Sequence, residues 1–173
     1  MNLIVTCARH LEPETEDEIR GILEEMGDSE PTVTITKISG ILTAQTSLEP
    51  KEVVRGIREK ILDEPWAIRY CLRVIPIQNV TDTSIESIEE AVSSMTSLIE
   101  EKESYRISVE KRNSDISSQD IISRIAKKIK NKVSLEFPDK VILVEILGNM
   151  AGLAIVKKSD ILSVEKTKRS ISE

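Results

Sequence analysis

The sequence predicts an α+β fold built from two consecutive units, and three observations carry that prediction. Hydrophobic periodicity over residues 1–79 spells β-α-β-β-α-β, the split order in which two helices cover one face of an antiparallel sheet. Polar turn residues at 78–83 then interrupt the pattern before a second set of helices and strands begins. Charge also changes along the chain: residues 104–173 carry 14 Lys+Arg against 9 Asp+Glu, whereas residues 1–103 carry 10 against 21. The net charge of −6 therefore joins an acidic stretch to a basic one.

In the first unit, residues 3–7 (LIVTC) form a short β-rich run. Glu12-Pro13 opens a helix whose apolar positions Ile19, Ile22, Leu23 and Met26 recur at helical spacing, and Gly27 stops it. Residues 32–38 and 41–46 read as a hairpin about Gly40. Pro50 starts a second helix with Val53, Val54, Ile57 and Ile61 on one face, and residues 69–77 supply the closing strand. The acid-rich helix 12–25 is either a solvated face or a protein-docking surface.

The second unit opens with a helix in which Thr83 and Glu86 have capping-box spacing. Its stripe comprises Ile85, Ile88, Val92, Met95 and Ile99. Residues 104–110 alternate as a half-buried strand with Tyr105, Ile107 and Val109 on one face. A helix over 119–132 follows, with Ser117 and Asp120 at capping-box spacing. Residues 141–147 are nearly all apolar and read as a central strand, 148–152 as a turn, and 153–156 as the returning strand. These patterns place domain boundaries at 1–79 and 80–168, with a polar, frayed tail at 169–173.

Composition excludes several classes. Hydrophobic content of 39% and charged content of 31% in 173 residues suit a folded chain whose core needs no staples. No apolar run approaches the roughly 18 residues of a membrane span, and residues 1–7 lack the features of a signal peptide, so a cytoplasmic protein without a membrane partner is expected. Cys7 and Cys71 read as buried thiols, and His10 as a surface loop residue. Neither type forms a metal-ligand cluster. The chain lacks a GxxxxGK phosphate loop, a GxGxxG fingerprint and a nucleophile elbow. No catalytic residue, metal or cofactor is therefore expected, and the chain is read as a non-enzyme.

The chemistry that remains is basic. Around the helix 119–132, Ile121, Ile122, Ile125 and Ile129 share one flank, and Arg124, Lys127, Lys128 and Asn131 share the opposite one. Lys130 and Lys132 lie at the margins, and Asp120 is the only acid. Lys111 and Arg112 end one strand, Lys140 begins another, and Lys157 and Lys158 follow the last, so the basic groups could gather on one edge. Such a patch would bind phosphates in a salt-dependent manner. The alternative is a solvated face that aids solubility. Aromatic residues that stack on bases are nearly absent, the inventory being Trp66, Tyr70, Tyr105 and Phe137, so recognition of RNA shape or of an end is expected. Gly148, Asn149, Met150, Ala151 and Gly152 form either a plain hairpin turn or a loop that brings backbone N–H groups to a phosphate.

The second unit's succession of helix, YRISVEKR strand, basic helix, and VILVE strand followed by LGNMAGL resembles a THUMP domain. In particular it is similar to the single-THUMP adaptors that assist acetylation of a cytidine in tRNA. The preceding unit matches the ferredoxin-like domain that accompanies THUMP. The resemblance implies tRNA binding, with Lys111, Arg112, Arg124, Lys127, Lys128, Lys157 and the loop from Gly148 to Gly152 as candidate contacts. It also implies an adaptor that presents tRNA to a separate modification enzyme, an acetyltransferase. Two alternatives stand beside it: the RNA-binding subunit of a split tRNA-thiolation or methylation enzyme, and a protein-interaction module without RNA.

Overall fold

The computed structural model describes residues 1–172. Its first stretch runs β1 (Leu3–Cys7), α1 (Glu12–Glu25), β2 (Thr32–Ile35), β3 (Ile41–Gln45), α2 (Pro50–Asp63) and β4 (Cys71–Pro76). Next come β5 (Asn79–Asp82), α3 (Ile85–Ser93), β6 (Tyr105–Arg112), α4 (Ser118–Ala126), β7 (Lys140–Leu147) and β8 (Met150–Val156). The chain closes with β9 (Leu162–Ser163) and α5 (Val164–Ile171). Two compact units result: Met1–Ile77 together with the residues from Ser159 onward, and Gln78–Lys158.

The first unit is an antiparallel sheet in the order β2-β3-β1-β4-β9, so the expected βαββαβ unit carries one additional edge strand. Leu3, Val5, Leu42, Ala44 and Val74 point to one face and pack with Ile19 and Leu23 of α1 and Val53, Val54, Ile57 and Ile61 of α2. Pro13 and Pro50 sit in the first turns of their helices, where a missing N–H costs nothing. Gly40 has φ +77°, and a Cβ there would lie 2.7 Å from the Cys7 carbonyl oxygen. Its N–H donates to Glu12 Oε1 at 2.8 Å, and that bond holds the Glu12 carboxyl below its usual range.

The second domain was expected to run to residue 168 and to end in a frayed tail. Instead the chain returns to the first unit at Ser159. Leu162 pairs with Val74 and is fully buried, Val164 is buried, and α5 is capped by the Ser163 hydroxyl accepting from the Lys166 N–H. Two buried positions, Leu162 and Val164, among Lys, Ser and Glu are too few to show a period, which is why the text reads as tail.

The second unit is a four-stranded sheet in the order β5-β8-β7-β6, with β6 and β7 parallel through α4 and the other neighbours antiparallel. Ile88 and Val92 of α3 and Ile121 and Ile125 of α4 pack on Tyr105, Ile142, Val144, Leu153 and Ile155. Residues 79–82, expected as a turn, are the strand β5, paired with Leu153 through Met150. The cap of α3 is Ser84, one residue beyond the expected Thr83, and its hydroxyl accepts from Ser87 N–H. Ser117 caps α4 as the spacing predicted, accepting from Asp120 N–H. That helix ends at Ala126 rather than 132. Lys128 and Ile129 switch to i→i−3 hydrogen bonds, and Asn131 Nδ2 donates to the carbonyls of Glu100 and Glu103, pulling the chain out of helical phase. No helix among the described residues is long and apolar enough to cross a membrane.

Candidate nucleic-acid interface

Strand register sorts the basic residues of the second unit into two groups. Tyr105 lies opposite Lys140 and Arg112 opposite Leu147, while Val156 lies opposite Val141. Lys157 therefore sits at the end where β6 and β7 begin, together with Lys140. Lys111 and Arg112 sit at the end where these strands finish, beside the β7–β8 turn. Seven residue steps at ~3.3 Å place the two ends about 23 Å apart. The single edge expected from the sequence is thus two edges.

At the finishing end, Gly148 N–H donates to the Arg112 carbonyl at 2.8 Å, so the turn and the basic pair do come together. Of the two charges only that of Arg112 is met by a carboxylate. Arg112 Nη1 bonds Glu145 Oε2 at 3.1 Å, and Glu145 is only 2% exposed, so the arginine chiefly neutralises a buried carboxylate. Lys111 Nζ donates to the Ile116 carbonyl at 2.8 Å. Ala151 and Gly152 are buried residues of β8, paired with Ile146 and Glu145. The expected five-residue loop is therefore a tight turn at Gly148 and Asn149, with Met150 already in strand. Gly148 adopts φ +63°, the left-handed region that favours glycine.

Arg124 and Lys128 were expected on an acid-free face. Glu89 of α3 corrects this: its carboxylate accepts from Arg124 Nε at 2.5 Å and from Lys128 Nζ at 2.9 Å. The Lys128 bond, followed by that of Arg124, holds the Glu89 carboxyl below its usual range. A helical wheel sees only the acids of its own helix, and this one arrives from a neighbour.

The starting end is different. Lys127, Lys130 and Lys132 are exposed and make no ion pair among the described residues. The segment that carries them joins the sheet edge: Tyr105 N–H donates to the Lys132 carbonyl, and Ser134 N–H to the Tyr105 carbonyl, each at 3.0 Å. Arg106 Nη1 donates to the Leu135 carbonyl at 3.1 Å and Lys158 Nζ to the Glu136 carbonyl at 3.0 Å. Lys140 Nζ contacts Glu103 at 2.9 Å. Glu100, Glu101, Glu103, Glu136 and Asp139 share this end, but the cations outnumber them. Two of these acids are also satisfied internally. The Glu100 N–H and then Lys140 hold the Glu103 carboxyl low, and the Ser104 N–H and hydroxyl do the same for Asp139.

Residues 82–156, which hold all of β6, α4, β7 and β8, match the sequence profile of the THUMP domain. The chain carries a THUMP domain. Over 120 residues the chain is 30% identical to the uncharacterized protein MJ0421 of Methanocaldococcus jannaschii, covering 66% of this chain and 33% of that protein. PH1313 of Pyrococcus horikoshii shares the fold with a TM-score of 0.64 at 15% identity, over 91% of this chain and 55% of its own. A possible methylase of Clostridium difficile 630 does so with a TM-score of 0.56 at 17% identity, over 92% and 42%. The chain thus spans from a third to about half the length of these proteins. A THUMP domain implies RNA binding, and both halves of the fold, not the THUMP domain alone, recur in the solved structures.

Among the described residues no three His, Cys, Asp or Glu side chains gather to hold a metal ion. Cys7 and Cys71 are buried, and burial pushes the Cys71 thiol well above the usual thiol range, which leaves it unreactive. Arg106, Lys130, Lys132, Lys140 and Lys158 are cations of the second unit's starting end that the candidate contacts omitted. Lys130 and Lys132 were visible in the sequence as helix margins, and the early end of α4 brings them out. Arg106 gave no signal, because an alternating strand says nothing about which edge it occupies.

Proposed function

We propose that this chain is a tRNA-binding adaptor whose THUMP domain takes the RNA backbone at the end where β6 and β7 begin, and which presents the tRNA to a separate modification enzyme. Its likeness to the single-THUMP adaptors makes a tRNA cytidine acetyltransferase the partner of choice. The observation that carries the reading is the set Lys127, Lys130 and Lys132, exposed and without an ion pair among the described residues, on a THUMP domain. Lys157 joins that end by register. Arg112, Arg124 and Lys128 become secondary contacts, since each already holds a carboxylate, and Lys111 becomes secondary by position, at the opposite end of the sheet.

A second reading makes the chain the RNA-binding subunit of a split tRNA-thiolation or methylation enzyme, and the fold it shares with a possible methylase supports it. Copurification separates the two: association that needs tRNA marks an adaptor, and a stoichiometric complex that survives high salt marks a subunit.

Binding itself is tested by titrating tRNA at several salt concentrations. The triple substitution Lys127→Glu, Lys130→Glu and Lys132→Glu weakens binding. It also lowers the slope of log K against log salt by roughly 0.7–0.9 for each lost phosphate contact. The thermal midpoint stays put, because none of the three supports the fold. An unchanged slope would remove this end of the sheet as the RNA surface.

A further inference from the structure

Phe137 is 83% exposed, Leu135 70% and Val133 52%, three apolar side chains within five residues of the loop that leads into β7. Tyr105, the THUMP domain's other aromatic residue, is buried. Single exposed apolar residues are ordinary, but a run of three is unusual on a surface that has no structural use for it. Nor does the exposure come from a loose loop. The Tyr105 N–H and carbonyl hold residues 132 and 134, Phe137 N–H donates to Ser134 Oγ at 3.3 Å, and Asp139 N–H donates to the Ser104 carbonyl at 3.1 Å. The ring is presented on a segment pinned at both ends.

Two cations are bonded to the same segment. Arg106 donates to the Leu135 carbonyl and Lys158 to the Glu136 carbonyl, the two residues just before the ring. One bond each leaves a guanidinium with four further N–H groups and an ammonium with two. An open aromatic face with cationic donors a residue or two away is the complement of a nucleotide, whose base offers a π-face and whose backbone offers phosphate oxygens. A purely apolar protein partner would gain nothing from charged groups bonded to the loop. Glu136 is the one carboxylate inside the run, and its flanking cations outnumber it.

We propose that Phe137 is a stacking platform for an unpaired nucleobase of the bound RNA, with Arg106 and Lys158 placed for the phosphates beside that base. This rests on the RNA-binding reading above and adds to it a preference for unpaired RNA. The sequence-based expectation was recognition without base stacking, and the exposed ring at this position revises it.

The test uses the full chain with two RNA hairpins, one closed and blunt and one with a single-stranded 3′ extension. Phe137→Ala is expected to weaken binding of the extended hairpin by roughly ten-fold or more, the size of one base–aromatic stack. Binding of the blunt hairpin and the salt slope should change little, and Phe137→Trp should retain the wild-type preference. A ring this exposed can be removed without moving the thermal midpoint, which serves as the folding control. If wild type binds RNA and Phe137→Ala binds each hairpin as tightly as wild type does, the platform is wrong. Equal loss on both hairpins would also overturn it. Failure of the wild-type protein to bind either RNA at low salt would instead overturn the RNA-binding reading itself.

Discussion

Lys127 and Lys128 are adjacent in sequence and opposite in role. Lys128 Nζ bonds Glu89 and helps to tie α4 to α3, while Lys127 meets no carboxylate among the described residues. Lys128→Glu would set two carboxylates against each other with only Arg124 to offset them, so it should lower the thermal midpoint by a few degrees. Lys127→Glu should leave the midpoint unchanged and weaken tRNA binding. Thermal melts and binding isotherms of the two variants check both outcomes; equal melting temperatures would deny the Glu89 pairing its structural role. At this scale the sequence was a good guide to burial and a poor one to pairing. The isoleucines at 121 and 125 announced themselves by spacing, whereas Glu89 lies 35 positions away from Arg124 and no local rule connects them. Gly40 could be read as a hairpin turn residue, but its close approach to the Cys7 carbonyl could not.

Elements of the first unit are tied together by Asp28, which follows α1 and reaches the residues after β3. Asp28 is 3% exposed, and its carboxylate accepts from Thr46 Oγ1 at 2.6 Å and from the N–H groups of Ser47 and Glu30 at 3.1 Å. The Thr46 hydroxyl first, then the N–H groups, hold its carboxyl below the usual range. A group whose folded-state pKa is depressed adds stability above its unfolded value, near 4 for Asp, and loses it as pH falls through the folded value. Asp28→Asn should therefore destabilise the protein at pH 7, and its deficit relative to wild type should shrink below about pH 4. Urea unfolding across that range measures it; a deficit independent of pH would show that the charge of Asp28 does not matter.

Long periodic elements were legible in the sequence because a buried stripe repeats often enough to be seen: α1, α2, β7 and the core of α4 appear where expected. Short elements were not. β5 and β9 contain four and two residues, and their pairing with β8 and β4 is set by register with distant strands rather than by their own text. The premature end of α4 escaped for a related reason. Residues 127–132 keep a helical pattern, but tertiary hydrogen bonds from Asn131 and Tyr105 override it.

For the molecule as a whole, the charge contrast between residues 1–103 and 104–173 pointed toward a polyanion, and the THUMP domain agrees with it. What composition could not show is which cations remain uncompensated after folding. Parallel pairing of β6 with β7 sends Lys111 and Arg112 to one end and Lys140 to the other, while Glu89 and Glu145 engage Arg124, Lys128 and Arg112. The cations left without a carboxylate are fewer than a reading of charge alone suggests, and in the second unit most of them lie at one end of the sheet, with Lys111 at the other. Mapping the peptides that crosslink to tRNA under ultraviolet light, using the full chain at moderate salt, tests this most directly. Crosslinks should fall within residues 127–137, with Phe137 prominent. Crosslinks confined to residues 110–114 and 148–150, or to the first unit, would contradict the account.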